Sequence, residues 1–492
     1  MNQSASELES GEPSTRRAED CSDGDSERAS GVAVLHYAVI AVVYGFFALK
    51  ALLEFNPQWD FLAYHLPHAL ALFGRTTYEP EPFLQRMNAA WPPLAHLVQG
   101  TLVLLTGRIS AANSVNAVLF FIVVGLLWRE LGDYISWRWF LTALLAVPLF
   151  LFHFVSGYID LFANLWIFLA WGSLVALELS PDLKTQKRAL VLLVVGIFGA
   201  VFSKLQMWPL AAIIVIYCAV RLYFMRLEKK LSPKAALLTL GVLLVTSSFW
   251  PIRNVFIYKN PTYPVRFPVA GSLFPNFTRT ESSERDLPEY LHGRATPITF
   301  AHSVLELGRF KTEESFRFWL DQSVASGAKS PLHRMGGWFV GTVLLFIAAW
   351  ALCVWGKMLP GGPTVLFGAL VVATAFIPQS HELRYWFYNP LISAVAFGRV
   401  MKVVPKQLAL LLAALLSMSA VYVIVVTDQL HLDTRQAAEY APPDAVSFWE
   451  AQRNGVAPGP FEVCGKMPNT IFWAGPTFNE FPVRGCLGGA SG

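Results

Sequence analysis

The sequence has few charged residues and few cysteines. Only 15% of its 492 residues are Asp, Glu, Lys or Arg, whereas soluble proteins carry about 25%. The five cysteines form no Cys-x-x-Cys pair, which argues against a disulfide-dense scaffold and a cysteine zinc site. Walker loops, dinucleotide fingerprints, GxSxG elbows and HExxH motifs are also absent, so soluble nucleotide chemistry has no support. We expect no nucleic-acid partner. A mean hydropathy of +0.45 indicates a polytopic membrane protein instead.

Three regions differ in composition. Residues 1–31 are rich in Ser, Glu, Asp and Arg, which predicts a disordered cytoplasmic tail. Residues 32–426 are predicted to form an all-α transmembrane domain, with a first outer loop at 54–108 and a long outer loop at 251–335. The predicted spans are 32–53, 109–131, 139–156, 162–179, 189–203, 207–225, 236–250, 336–356, 363–378, 386–401 and 407–426.

Residues 427–492 are predicted to be a small outer C-terminal region. It contains Cys464 and Cys486. An oxidising compartment favours a disulfide between them, and two unpaired thiols are the alternative.

The short apolar segment 93–106 decides the predicted topology. As a helix it is about 21 Å long, whereas the hydrocarbon core is about 30 Å thick, so we interpret it as an amphipathic helix at the outer interface. The basic residues of the short loops then gather on one side, which places the N-terminus in the cytoplasm and the C-terminus outside. Those residues are Arg129, Arg138, Lys184, Lys187, Arg188, Arg221, Arg226, Lys229, Lys230, Lys234, Lys357, Arg399, Lys402 and Lys406.

Two carboxylates fall on the predicted outer face. Asp60 follows the first span, close to Trp59, Tyr64 and His65, and could simply be an interfacial acid beside an aromatic belt. Asp160 lies between two spans, where a helix N-cap is the alternative. Together they predict a shared site in which one acid acts as a base and the other positions an acceptor or binds a cation.

Cations at the same face are candidates for binding a lipid-linked phosphate. Lys204 ends one span, although it could snorkel to the headgroups instead. Arg253 and Arg384 have the guanidinium fork that suits phosphate, but Glu382 and Arg384 could be solvated loop charges. His65 and His68 share a helix face, so a metal site is weighed against ordinary hydrogen bonding.

Several short motifs resemble those of GT-C-type membrane glycosyltransferases, the superfamily of the lipid A aminoarabinose transferase and the protein O-mannosyltransferases. Trp59-Asp60 with Tyr64-His65-Leu66-Pro67 resembles their first outer loop. Their second acidic motif is similar to Tyr158-Ile159-Asp160-Leu161, and Lys204 falls where they place a lysine near the donor phosphate. Later elements resemble Arg253-Asn254 with Asn260-Pro261-Thr262-Tyr263-Pro264, and, more weakly, Arg384-Tyr385 with Asn389-Pro390-Leu391.

Two departures from the family pattern concern acids. Many relatives have a second acid directly after the first, where this chain has Phe61. Many also have an acid just before a proline late in the first loop, where this chain has Trp91 before Pro92, leaving Glu79 or Glu81 as substitutes. The sequence therefore leaves open how the acceptor is bound and whether a divalent metal ion is used.

The resemblance implies a GT-C-like bundle of about 11 transmembrane helices that acts as an inverting glycosyltransferase. It would transfer a sugar from a polyprenyl-phosphate donor to a lipid, glycan or protein acceptor on the outer side of a bacterial inner membrane. Asp60 would be the base, assisted by Asp160, and Lys204, Arg253 and Arg384 would bind phosphate. Residues expected to line the site are Trp59, Tyr64, His65, Glu79, Glu81, Tyr158, Tyr263, His381 and Tyr385.

Two other classes of protein fit this pattern less well. A lipid transporter or flippase is expected to show inverted repeats and charges near the bilayer midplane, whereas here the polar residues gather at one face. A non-catalytic membrane assembly or receptor protein would need no converging set of acids and cations.

Overall fold

A computed structural model describes most of the predicted membrane domain and parts of the C-terminal region. The predictions for Trp59, Glu81, Cys464 and Cys486 lie outside the described residues, as does most of the 1–31 tail. The described residues are 23–55, 58, 60–79, 88–180, 182–227, 232–261, 263, 293–305, 307, 338–377, 379–427, 430–433, 435–454, 461–463, 471 and 483–485.

The described chain is built mainly of α-helices. The helices are α1 (Asp23–Leu53), α2 (Leu66–Ala71), α3 (Leu94–Thr106), α4 (Val115–Leu131), α5 (Trp137–Leu145), α6 (Pro148–Phe154), α7 (Asp160–Leu179), α8 (Leu183–Val201), α9 (Met207–Leu227), α10 (Pro233–Tyr258), α11 (Thr296–Val304), α12 (Val340–Trp355), α13 (Gly361–Phe376), α14 (Tyr388–Val403), α15 (Lys406–Val426) and α16 (Pro443–Arg453). Short strands are β1 (Tyr78–Glu79), β2 (Phe461–Val463) and β3 (Val483–Gly485).

The helices confirm an all-α polytopic membrane protein. Helix covers most of each predicted span, although α1 begins at Asp23 rather than at residue 32. Within the described residues, 6 helices are long and apolar enough to cross a membrane, or 7 if a bent pair counts as one span. The other predicted spans correspond to shorter or more charged helices, and their crossing stays a prediction.

The predicted span 139–156 is wrong as one continuous helix. It is broken into α5 and α6, whose axes differ by 92°. Pro148 causes the break, because proline has no amide hydrogen for the preceding turn and its ring clashes with that turn, whereas it fits the first turn of a new helix.

The corner after α6 is held by one buried side chain of α4. Asn116 Nδ2 donates to the carbonyl oxygens of His153, Ser156 and Tyr158 at 2.7, 3.0 and 2.7 Å. These carbonyls lie at and beyond the end of α6, where the helix itself offers no donors. The amide therefore fixes the chain that leads into Asp160.

Among the described helices that could span the membrane, α7 is the most enclosed. In its most apolar stretch, 94% of the residues are buried inside the protein. It packs along α8, where Gly196 and Gly199 permit a close approach. A Cβ at Gly199 would lie 2.1 Å from the ring of Trp166, so a larger residue there would push the helices apart. Because the two helices form a hairpin, the start of α7 and the end of α8 lie at the same level.

Helix α3 has the predicted length, but its polar side faces the protein interior, whereas the polar side of a surface helix faces water. Its polar residues His96 and Gln99 are buried, and Leu105 is 78% exposed. Gln99 Nε2 donates to the carbonyl oxygen of Gly157 at 2.8 Å. The polar side of α3 therefore helps to build the protein interior next to Asp160.

The C-terminal region is docked on the first outer loop. Phe448 and Trp449 of α16 belong to one apolar cluster with Phe55, Phe61 and Leu66. Strand β3 lies between β1 and β2, and all pairing is parallel. The register pairs the residues directly before Cys464 and Cys486, and the disulfide stays a prediction.

Candidate active site

Two carboxylate–cation pairs form the polar centre of the protein. Arg384 Nη1 donates to Asp60 Oδ2 at 2.8 Å, and the Lys204 ammonium donates to Asp160 Oδ1. The Asp160 side chain is 1% exposed, and the Lys204 side chain is 15% exposed. The four residues come from distant parts of the chain, so the fold brings together the two acids and two of the three predicted cations.

Arg384 lies in a 3-10 turn, Leu383–Trp386, that leads into α14. Its Nε donates to Glu382 Oε2 at 3.0 Å, and its Nη2 donates to the Tyr385 hydroxyl at 3.1 Å. Glu382 is 1% exposed and Arg384 is 8% exposed, so the alternative that they are solvated loop charges is wrong. A guanidinium suits these three partners because its donors lie on three separate nitrogens in a fixed, planar arrangement.

Asp60 precedes a π-helical turn, Phe61–His65, that continues into α2. Phe61 is completely buried, and Gly157 leaves room for its ring, because a Cβ there would lie 2.1 Å from Phe61 Cδ2. The corner before Asp160 therefore contacts the turn that carries Asp60. The interfacial-acid alternative does not account for the partly buried pairing of Asp60 with Arg384.

Asp160 is the first residue of α7 and does not act as its N-cap. Ile159 occupies the cap position, and no side-chain cap bond is made. The Asp160 carboxylate accepts from Lys204 instead. The Lys204 ammonium also lies 4.3 Å from the centre of the Tyr385 ring, so it points into the protein rather than snorkelling to the headgroups.

Tyr385 and Asn164 link the two pairs. The Tyr385 ring centre lies 4.9 Å from the Arg384 guanidinium carbon, so one ring faces both cations. Asn164 Nδ2 donates to the carbonyl oxygens of Asp160 and Tyr385 at 2.8 and 3.1 Å. Its Oδ1 accepts from the Tyr388 amide at 3.1 Å. Sequence reasoning missed Asn164, although an amide one turn into an otherwise apolar helix was a signal.

A cavity of about 120 Å³ opens beside Lys204. Tyr64, His65 and Tyr385 were predicted to line the site and do line this cavity. The remaining lining residues were not predicted as site residues. They are Trp91, Pro92, His96, Ile159, Ser203, Leu205 and Gln206. The cavity is thus aromatic and polar, and it reaches Lys204, the partner of Asp160.

Of the other predicted site residues, Tyr158 contacts these pairs. Tyr158 is buried, with its ring centre 5.3 Å from the Arg384 guanidinium carbon. His381 is buried, and its carbonyl oxygen accepts from Ser303 at 2.6 Å. Tyr263 stacks on Tyr258 at 4.2 Å. Glu79 is in β1, next to the C-terminal strands.

Arg253 contacts the loop before Trp91 rather than an acid of the centre. Its Nη2 donates to the Ala89 carbonyl oxygen at 2.9 Å and its Nη1 to Asn254 Oδ1 at 3.0 Å. Its guanidinium carbon lies 4.7 Å from the Trp250 ring centre. No bond from Arg253 to either carboxylate is present among the described residues.

Three histidines form a cluster behind Tyr64. His65 Nδ1 and His96 Nε2 are hydrogen-bonded at 2.9 Å, and the His68 ring packs on His96 at 4.7 Å. Burial lowers the pKa of His65, and the charges of Lys204 and Arg384 lower it further. Burial also lowers the pKa of His96 and brings that of His68 to about 4. The cluster is therefore neutral at neutral pH, and the described residues contain no set of His, Cys, Asp or Glu placed to hold a metal ion.

Comparison with solved structures identifies the architecture. The crystal structure of ArnT from Cupriavidus metallidurans bound to undecaprenyl phosphate matches with a TM-score of 0.54 and 13% sequence identity, over 94% of this chain and 87% of that chain. The chain has the ArnT fold. The predicted GT-C-like fold is therefore confirmed.

The apo structure of the same ArnT matches with a TM-score of 0.49 and 12% identity, over 93% of this chain and 86% of that chain. No family model matches the sequence, and the search of curated proteins finds no match. The likeness to ArnT therefore concerns the fold.

Proposed function

We propose that this protein is an integral-membrane inverting glycosyltransferase that uses a polyprenyl-phosphate-linked sugar. The acceptor is a lipid, glycan or protein on the outer side of a bacterial inner membrane, with the N-terminus of the chain in the cytoplasm. The observation that carries the proposal is the pair of carboxylate–cation contacts on either side of Tyr385, beside a cavity. Such a set combines a base with charges suited to a phosphate leaving group.

The cations explain how the donor would be held. The donor phosphate is a diester whose single negative charge is shared by two oxygens, so it can accept from Lys204 and Arg384 in place of Asp160 and Asp60. As charge develops on the departing phosphate oxygen, these fixed cations stabilise the transition state. Arg253 is retained as a third phosphate ligand on the family resemblance, and in the free protein it bonds to the loop before Trp91.

Asp60 would act as the base once the phosphate has taken up part of the Arg384 fork. Its carboxylate accepts the proton of the acceptor hydroxyl while the acceptor oxygen bonds to the anomeric carbon. The bond from that carbon to the phosphate oxygen breaks, and polyprenyl phosphate leaves. Attack on the side opposite the phosphate inverts the anomeric configuration. Proton transfer by a positioned carboxylate contributes about 10²–10⁴-fold to the rate.

Asp160 would assist by holding Lys204 in place before the donor arrives. Its carboxylate is buried, so its pairing with Lys204 is preorganised rather than formed on demand. The likeness in fold to an ArnT structure containing undecaprenyl phosphate supports a polyprenyl phosphate as the carrier.

A flippase is the second candidate, because a membrane protein that binds a lipid-linked phosphate could move it without chemistry. Purified protein in proteoliposomes, given a panel of radiolabelled polyprenyl-phospho-sugars and a membrane extract as the acceptor source, separates the two. A transferase produces radiolabel in a new covalent product together with free polyprenyl phosphate. Donor that changes leaflet but keeps its sugar would refute the proposal.

A further inference from the structure

We propose that the cavity beside Lys204 is the subsite for the transferred sugar, and that it selects a single sugar ring without a free amine. This inference rests on the proposed function and deepens it by naming the class of donor. It is carried by the size of the cavity, its aromatic and polar lining, its charge, and one buried nitrogen that lacks a hydrogen-bond partner among the described residues.

The size of the cavity fits one ring. Its volume is about 120 Å³, whereas pockets for drug-sized ligands measure about 300–1,000 Å³. A disaccharide would have to extend out of it. Lys204 lies on its wall, so a ring placed inside would have its anomeric phosphate within reach of the ammonium.

The walls of the cavity suit a sugar face. The rings of Tyr64 and Trp91 meet edge to face with their centres 5.3 Å apart, and Tyr385 contributes a third aromatic ring to the lining. The C–H side of a sugar ring packs on aromatic faces, and its hydroxyls need polar partners in the same space. Gln206 and His96 supply side chains with such groups.

His96 provides the sharpest sign that a ligand is expected. It is 1% exposed and lines the cavity, and its Nδ1 atom has no hydrogen-bond partner among the described residues. A buried polar atom left without a partner costs about 1–3 kcal/mol, so such atoms are usually satisfied by water or by a ligand. A sugar hydroxyl can donate to or accept from an imidazole nitrogen, as the tautomer requires.

The charge of the lining disfavours an amino sugar. Among its described residues only Lys204 carries a charge at neutral pH, because the histidines lining the cavity are held neutral by burial and by the neighbouring cations. The ammonium of an amino sugar would face Lys204, and no described carboxylate lines the cavity to receive it. Asp160 is not among the residues that line the cavity. A hydroxyl at the same ring position meets no such penalty.

A matched pair of short-chain donors tests this selection. The probes are farnesyl-phospho-pentoses that differ in one group, a ring hydroxyl in one and an amine in the other. Binding to the full-length protein in nanodiscs at neutral pH is measured by calorimetry, and transfer is measured with the same donors. We expect the hydroxyl donor to bind about tenfold or more tightly, which is a difference of about 1.4 kcal/mol.

Two variants link the preference to the cavity. Gln206→Glu places a carboxylate in the lining and is expected to reduce the preference at least threefold. Gln407→Glu adds the same charge at an exposed position of α15 and is expected to leave it unchanged.

The failures of the two proposals can be told apart. Equal or tighter binding of the amino donor, with transfer of its sugar, would overturn the neutral-sugar inference and leave the transferase standing. If neither donor binds, both the neutral-sugar inference and the proposed transferase function are refuted. If Gln407→Glu changes the preference as much as Gln206→Glu does, the cavity is not the cause of the preference.

Discussion

Replacing Arg384 by methionine should destabilise the protein far more than removing a typical surface arginine. The side chain is 9% exposed and binds two carboxylates, those of Asp60 and Glu382, at 2.8 and 3.0 Å. Methionine fills a similar volume but leaves the Glu382 carboxylate, which is 1% exposed, without this cation. Breaking a buried ion pair from one side costs about 3–5 kcal/mol, because the remaining charge is still desolvated.

The measurement is the free energy of unfolding in mixed detergent micelles, followed by circular dichroism. Arg435→Met is the matched control, since Arg435 also pairs with an aspartate but its side chain is 57% exposed. An exposed pair is worth about 0–1 kcal/mol. Arg384→Lys should fall between the two variants, because one ammonium cannot reproduce the geometry of the fork. Equal losses for Arg384→Met and Arg435→Met would refute the buried network.

Three further changes follow from the contacts. The pKa of His68 is lowered from 6.5 to about 4, so the unfolded chain binds a proton at a higher pH than the folded protein does. The free energy of unfolding should therefore be highest above pH 6.5 and fall towards pH 4, by roughly 3 kcal/mol at most. The variant His68→Gln should weaken this pH dependence. Gly157→Ala should cost about 1–3 kcal/mol and slow transfer, because its Cβ would lie 2.1 Å from Phe61. Asn164→Ala should cost about 1–3 kcal/mol by leaving the Tyr388 amide without its acceptor.

Each of these predictions has an outcome that would contradict it. An unchanged slope of stability against pH in His68→Gln would show that His68 is not the proton-binding group. Gly125→Ala is the partner for Gly157→Ala, because nothing lies within 4 Å of its Cβ, and equal effects would contradict the close contact. For Asn164→Ala, stability equal to that of the wild type would show that the bond to Tyr388 contributes nothing.

The helices could be predicted from the sequence because hydropathy depends on local composition. Eleven apolar segments were identified, and each is largely helical. The break at Pro148 was missed, since a proline within a long apolar run can either kink a helix or start a new one. The inward-facing polar side of α3 was missed too, because hydropathy alone cannot tell whether His96 and Gln99 face water or a protein interior.

The site could be predicted in its members but not in its pairings. Asp60 and Arg384 are 324 residues apart, so nothing local indicates that they meet. The burial of Glu382 depends on the packing around the 3-10 turn before α14, which the sequence does not reveal. Asn164 and His96 contribute through hydrogen bonds to distant partners, and such residues carry no motif of their own.

The most direct test of the account is the single-turnover rate of sugar transfer from prebound donor by Asp60→Asn. Asparagine has nearly the same shape and can still bond to Arg384, but it cannot take a proton. We predict that donor binding is retained while the rate falls by about 10²–10⁴-fold. A single-turnover rate equal to that of the wild type would show that Asp60 is not the base and would contradict the account.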